Sequence, residues 1–81
     1  MKIALSQCLS ALDKGRLGQV TALEFEPSVQ QRFEHLGISV GEQIAVVRAS
    51  VANSPLMVRI NGAYFMIRLQ DAQHIQVTVA S

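Results

Sequence analysis

The dipeptide Asn61-Gly62 constrains the fold of this sequence more than any other feature. Asn-Gly favours the positive φ angles of a type I′ turn, and β-rich segments flank it at Leu56–Ile60 and Ala63–Leu69. The sequence therefore predicts a β-hairpin with a two-residue turn. The turn fixes the register, which pairs Ile60 with Ala63, Arg59 with Tyr64, Val58 with Phe65, Met57 with Met66, and Leu56 with Ile67.

Alternation along this hairpin separates its side chains into two faces. The face predicted to join the core carries Leu56, Val58, Ile60, Ala63, Phe65 and Ile67. The opposite face, predicted to look outward, carries Met57, Arg59, Tyr64, Met66 and Arg68. An outward apolar cluster rimmed by arginines is a candidate contact surface. The alternative is that a short helix or an N-terminal segment covers the methionines, and the sequence favours neither.

The rest of the sequence is divided by turn residues into short segments, which is typical of a small antiparallel β-barrel. With the hairpin, the β-rich segments give about five strands. The further predicted strands are Gly18–Phe25, Glu42–Val51 and Ile75–Val79. One or two short helices complete the prediction. The first is Pro27–Leu36, and the second is a helix or helical turn at Leu5–Leu12, where the apolar residues are spaced as on one helix face. Gln70–Gln73 is predicted as a single helical turn.

The segment Pro27–Leu36 has the signals of a short helix. Ser28 and Gln31 match a capping box, and Gly37 supplies the stop. The apolar stripe of this helix is formed by Val29, Phe33 and Leu36. A helix this short is not stable alone in water, so the stripe must dock on the rest of the protein.

Size and charge limit what this chain can do. Its 81 residues are enough for one domain, residues 1–81, and a net charge of +1 argues against a nucleic-acid binder. The single cysteine, Cys8, excludes an internal disulfide and fits a reducing cytoplasm. No stretch approaches the length of uncharged apolar sequence that a transmembrane helix needs, so direct membrane insertion is not expected.

The side chains that could carry catalysis or bind a metal are few. Cys8 lies on the apolar stripe of its segment, which favours a packed core thiol over a nucleophile. Glu24 and Glu26 fall at the solvated end of a strand, and His35 and His74 are read as surface residues. A metal site would need both histidines to meet with a carboxylate. The residues therefore favour a binding or regulatory module, with no enzyme activity, cofactor or metal.

A series of motifs resembles the FeoA family, the small ferrous iron transport protein A. Residues 32–41, RFEHLGISVG, resemble its R-L-x-x-L-G-[LIM]-x-P-G signature. The likeness continues through Ile44–Arg48, Ser54–Ile60, Gly62, Ile67–Leu69, Asp71-Ala72 and Ile75–Val77, and upstream through Leu12 and Lys14–Gly18. It covers about residues 9–80. Val40 stands where the family has Pro, and Asn53-Ser54-Pro55 stands where it has G-D-P.

This resemblance implies an SH3-like β-barrel with a short helix. It also implies a cytoplasmic accessory or regulatory protein of ferrous iron uptake, acting on or near the cytosolic GTP-binding region of the membrane transporter FeoB. The family's domain occurs as well at the C-terminal end of iron-dependent repressors.

Our functional hypothesis from the sequence is docking on that transporter. The candidate partner-binding residues are Phe33, Leu36, Met57, Arg59, Tyr64, Met66 and Arg68. The same apolar face would also favour a weak homo-oligomer. Two alternatives remain: an SH3-like interaction module unrelated to iron that binds peptide or nucleic acid or associates with itself, and a metal-binding chaperone, for which the sequence shows no ligand cluster.

Overall fold

The computed structural model describes residues 4–80, so residues 1–3 and 81 of the predicted domain lie outside the described part. Its strands are β1 (Ala4–Cys8), β2 (Leu17–Leu23), β3 (Gln43–Arg48), β4 (Leu56–Ile60), β5 (Ala63–Ile67) and β6 (Ile75–Ala80). Its helices are a 3₁₀ turn (Leu9–Ala11), α1 (Pro27–His35) and α2 (Leu69–Ala72). The strands form one six-stranded antiparallel sheet in the order β1-β6-β2-β3-β4-β5. This confirms the mainly β, antiparallel prediction and adds one strand to it.

The added strand lies at the N-terminus, where the prediction of a helix over Leu5–Leu12 was wrong for its first half. Cys8 ends β1 opposite Gln76 of β6, and only Leu9–Ala11 is helical. A few apolar residues in a short segment fit helix and strand periods alike, and the partner strand is distant in sequence. Pairing with β6 therefore decides the conformation, while Leu9 and Leu12 still reach the core.

The predicted hairpin is confirmed in all five of its pairs. Asn61 and Gly62 have φ angles of +51° and +80°, as a type I′ turn requires. The predicted core face is buried at Leu56, Val58, Ile60 and Ile67. The prediction was wrong for Ala63, which is exposed, and Phe65 is half-buried, because both lie on β5 at the edge of the sheet.

Helix α1 occupies the predicted segment but begins differently. Pro27 takes the first helical position and Glu26 is the N-cap, without a side-chain hydrogen bond. Ser28 is therefore inside the helix, and the predicted capping box does not form. At the other end Gly37 has a φ of +93°, the left-handed conformation that commonly ends a helix. The Ile38 N–H donates to the Phe33 carbonyl at 3.0 Å.

The core is built from the inward side chains of the central strands. Val20, Ile44, Val46, Val58, Ile60, Ile75 and Val77 are almost fully buried, with Leu9 and Ile38 from connecting segments. The register shifts between Val20 and Ala22 in β2 and between Val46 and Arg48 in β3. Such irregularities increase strand twist, which helps one sheet curl around its own core. The edge strands β1 and β5 do not pair with each other.

Candidate functional site

The structure divides the predicted contact residues between two surfaces. Phe33, Leu36 and Arg68 line a groove beside α1. Met57, Arg59, Tyr64 and Met66 lie together on the outward side of the β4–β5 hairpin. The sequence-based hypothesis named contacts on the short helix and on the outer side of the hairpin together, and the fold places them on two separate surfaces.

The groove beside α1, here the helix groove, has a volume of about 400 Å³. The end of β2, α1, α2 and the turn before β6 supply its walls. The lining residues are Glu24, Phe25, Glu26, Val29, Arg32, Phe33, Leu36, Arg68, Asp71 and His74. Leu36 follows the last turn of α1 and is 53% exposed. The helix groove therefore offers a partner an aliphatic side chain that α1 does not bury.

Aromatic rings form the inner wall of the helix groove. The rings of Phe25 and Phe33 stack with centroids 4.8 Å apart and an interplanar angle of 17°. His74 meets Phe25 edge-on at 5.9 Å, and the Glu24 N–H donates to the His74 carbonyl at 2.8 Å. Both phenylalanines are half-buried against the core. The stack thus attaches α1 to the segment after β2.

Charged groups of both signs surround this apolar wall. Arg68 Nε lies 3.1 Å from Asp71 Oδ2, which joins the end of β5 to α2. Gln76 Nε2 donates to Glu24 Oε1 at 3.0 Å. Arg32 and Glu26 complete the charged rim. Such a rim would orient a bound polar segment more than it would add affinity.

Phe25 and its neighbours were not among the predicted contact residues. Phe25 ended the predicted strand Gly18–Phe25, and nothing in its local pattern indicates that it stacks on Phe33. That contact exists only once α1 folds back over the end of β2. The one available signal was that apolar residues occur on both faces of the predicted strand, which indicates burial from two sides.

The second surface, here the outer face, is the side of the sheet away from the core. Its rows run across strands: Leu17 beside Ala45 beside Arg59 beside Tyr64, and Met57 beside Met66. Tyr64 is 59% and Met66 is 55% exposed, while Met57 is half-buried. Among the described residues, then, neither α1 nor the N-terminal strand covers Tyr64 and Met66.

The other candidate groups lie apart from each other. Cys8 is half-buried, with its Sγ 3.0 Å from Ser10 Oγ, so the thiol sits at the margin of the core and not within it. His35, His74, Glu24 and Glu26 are exposed, as predicted. Within residues 4–80, no three His, Cys, Asp or Glu side chains converge on a point that could hold a metal ion. No helix in that range is both long and apolar enough to cross a membrane.

Comparison with known proteins gives a family match over nearly the whole chain. The model of the FeoA domain matches residues 7–79. The FeoA protein from Chlorobium tepidum is 32% identical with a TM-score of 0.82, and the match covers 90% of this chain and 70% of that one. No curated protein sequence matched.

Two further solved structures show how widely this fold is used. FeoA from Stenotrophomonas maltophilia, complexed with zinc and described as an SH3 domain protein, is 24% identical with a TM-score of 0.73, covering 88% of each chain. A manganese-dependent transcriptional repressor in complex with manganese is 26% identical with a TM-score of 0.81, covering 94% of this chain and 37% of that one. The SH3-like fold is therefore confirmed, and a larger repressor contains the same fold.

Proposed function

This chain belongs to the FeoA family, and from that premise we propose that it is a non-enzymatic accessory protein of ferrous iron uptake. Its partner in this proposal is the cytosolic GTP-binding region of the membrane transporter FeoB. The Stenotrophomonas maltophilia protein has been put forward as a ferrous iron transport activating factor, which supports a regulatory role. The proposal takes residues 1–81 as one domain that acts in the cytoplasm without inserting into the membrane.

The observation that carries the docking proposal is the helix groove. Leu36 stands half exposed beside the stacked rings of Phe25 and Phe33. Covering such apolar surface is favourable by about 25 cal/mol for each Å² removed from water. The groove is large enough to accept an apolar side chain from the transporter, so Leu36 and Phe33 would form the centre of the contact.

The rim of the helix groove would fix the orientation of the bound segment. Arg32 and Arg68 stand at the groove with Glu24, Glu26 and Asp71. Groups of both signs can pair with a segment that carries complementary charges and reject one with the wrong pattern. Of the originally predicted contacts, Phe33, Leu36 and Arg68 therefore remain in the docking proposal.

The test is a binding titration against the complete cytosolic region of the transporter, with and without a GTP analogue. Leu36→Lys places a charge in the groove. The helix should tolerate this change, because the helix dipole favours a cation at the C-terminus. We expect this change to weaken binding at least about tenfold, equivalent to about 1.4 kcal/mol. Binding that responds to the nucleotide would indicate coupling to the GTPase.

The matched control is Val51→Lys. Val51 is 72% exposed in the β3–β4 connection and lines neither the helix groove nor the outer face. It should bind like the unmodified chain. Failure of the folded, unmodified chain to bind the cytosolic region would contradict the proposal, as would equal binding by Leu36→Lys and Val51→Lys.

A further inference from the structure

Strand β5 is an open edge of the sheet. In the described part of the chain it pairs with β4 alone, and its register with β4 runs without a shift. Its sequence, AYFMI, contains no charged residue, proline or glycine. Sheet proteins commonly protect an edge with charges, proline or a bulge, because unpaired backbone groups accept a further strand. Strand β5 has none of these protections.

The turn at Asn61-Gly62 determines which backbone groups face this open side. In a hairpin with a two-residue turn, the flanking residues Ile60 and Ala63 form a hydrogen-bonded pair, and pairs then alternate between bonded and non-bonded. Every second residue from Ala63 therefore directs its N–H and C=O groups to β4. Tyr64 and Met66 direct theirs away from β4, toward the open edge.

We propose that two copies of this chain pair through β5, as antiparallel strands related by a two-fold axis at Phe65. Tyr64 then lies opposite the partner's Met66, and Met66 lies opposite the partner's Tyr64. Each of these pairs exchanges both N–H···O=C bonds, so the outward backbone groups of both residues are satisfied. The two sheets become one continuous sheet across the axis.

The side chains of the strand complement themselves in this pairing. Each row across the junction reads Arg59, Tyr64, the partner's Met66 and the partner's Met57, following the β4–β5 register on both sides. Apolar side chains meet in the middle and the arginines stand outside, separated by the full width of the junction. Methionine sulfur against an aromatic ring is a favourable contact. Phe65, half-buried in one copy, meets the partner's Phe65 on the core side.

The short length of β5 makes this a weak dimer. Five residues pair from each copy, so the buried area falls below the range of about 1,200–2,000 Å² of stable complexes. We therefore expect association at high protein concentration only. The inference does not depend on the proposed function, because it uses β5 and the outer face, not the helix groove.

The first test is sedimentation equilibrium of the unmodified chain from about 10 µM to about 1 mM, where weak interfaces associate. The apparent mass should rise from 8.8 kDa toward twice that value. At the high concentration, NMR hydrogen exchange should slow at the amides of Tyr64 and Met66. The Phe65 amide, already bonded to β4, should not change. A mass constant at 8.8 kDa, or a dimer without slowed exchange at Tyr64 and Met66, would overturn the inference.

Substitutions separate edge pairing from a general apolar attraction. Tyr64→Pro removes an outward N–H without touching the β4 ladder, a position where edge strands accept proline. Met66→Lys adds a charge to the edge and keeps the backbone intact. Each should weaken dimerisation at least about tenfold.

Leu17→Lys is the matched control for Met66→Lys. It introduces the same charge on the outer face, on β2, and Leu17 is as exposed as Met66. Dimerisation should be unchanged. Equal loss in Leu17→Lys and Met66→Lys, or full dimerisation by a folded Met66→Lys variant, would overturn the pairing through β5. Circular dichroism establishes that each variant is folded.

Discussion

At the residue scale, the substitution Gly62→Ala tests how much the positive φ angle in the Asn61-Gly62 turn contributes to stability. Its φ is +80°, and a Cβ added there would meet no atom within 4 Å. The cost of Gly62→Ala is therefore the backbone cost of a left-handed conformation, about 1 kcal/mol in the free energy of unfolding. Urea denaturation should show a lower midpoint with an unchanged slope.

Gly62→Asn is the control for that substitution. It also adds a Cβ, but asparagine tolerates the left-handed region better than alanine does. The loss should therefore be smaller than for Gly62→Ala. Equal losses for Ala and Asn, or none for Ala, would mean that backbone conformation does not limit this turn.

At the element scale, the attachment of α1 depends on contact between two rings. Phe25 and Phe33 stack at 4.8 Å, and no other element places an aromatic ring on Phe33 within the described residues. A double-mutant cycle with Phe25→Leu and Phe33→Leu should give a coupling of about 1 kcal/mol in unfolding free energy, the value typical of aromatic pairs.

The control cycle pairs Phe25→Leu with Tyr64→Leu. Tyr64 lies on the outer face and has no ring contact with Phe25. These two changes should be additive within about 0.5 kcal/mol. A coupling as large in the control cycle, or absent in the Phe25–Phe33 cycle, would contradict the role given to the stack.

Some elements can be predicted from the sequence and others cannot, because their partners lie at different distances along the chain. The β4–β5 hairpin is encoded by adjacent residues, so its register and its inner face could be derived from Asn61-Gly62 and alternation. Strand β1 could not, because its conformation depends on pairing with β6 at the other end of the chain. The capping box at Ser28 failed for a local reason, since Pro27 is a better first helical residue.

In the candidate site, too, features encoded by nearby residues could be predicted and features that depend on the whole fold could not. Phe33 and Leu36 could be chosen from the helical stripe, and Tyr64 and Met66 from the hairpin. Whether these residues share one surface is a property of the whole fold. Phe25 was missed because its place in the groove wall depends on α1 folding back over the end of β2.

At the scale of the whole molecule, the open strand order keeps the two surfaces apart. Strand β5 lies at the end of the sheet, and the helix groove is formed by α1, α2 and the segments flanking β2 and β6. Arg68, at the end of β5, lines the groove, whereas Tyr64 and Met66 do not. The proposed transporter contact and the proposed dimer contact should therefore be energetically independent.

The last prediction tests this independence with two substitutions, Leu36→Lys and Met66→Lys. Leu36→Lys should weaken binding to the transporter's cytosolic region and leave dimerisation unchanged. Met66→Lys should weaken dimerisation and leave binding to the transporter unchanged. The double variant should lose each to the extent of its single variant, because separate sites with no shared contacts are additive within about 0.5 kcal/mol. A Met66→Lys variant that loses both would instead mean that the transporter binds the dimer, or that it contacts the outer face. The mass of the complex of the unmodified chain, measured by sedimentation, separates these. A complex with two copies of this chain would show that the dimer is the form that binds, whereas a single copy would indicate contact with the outer face.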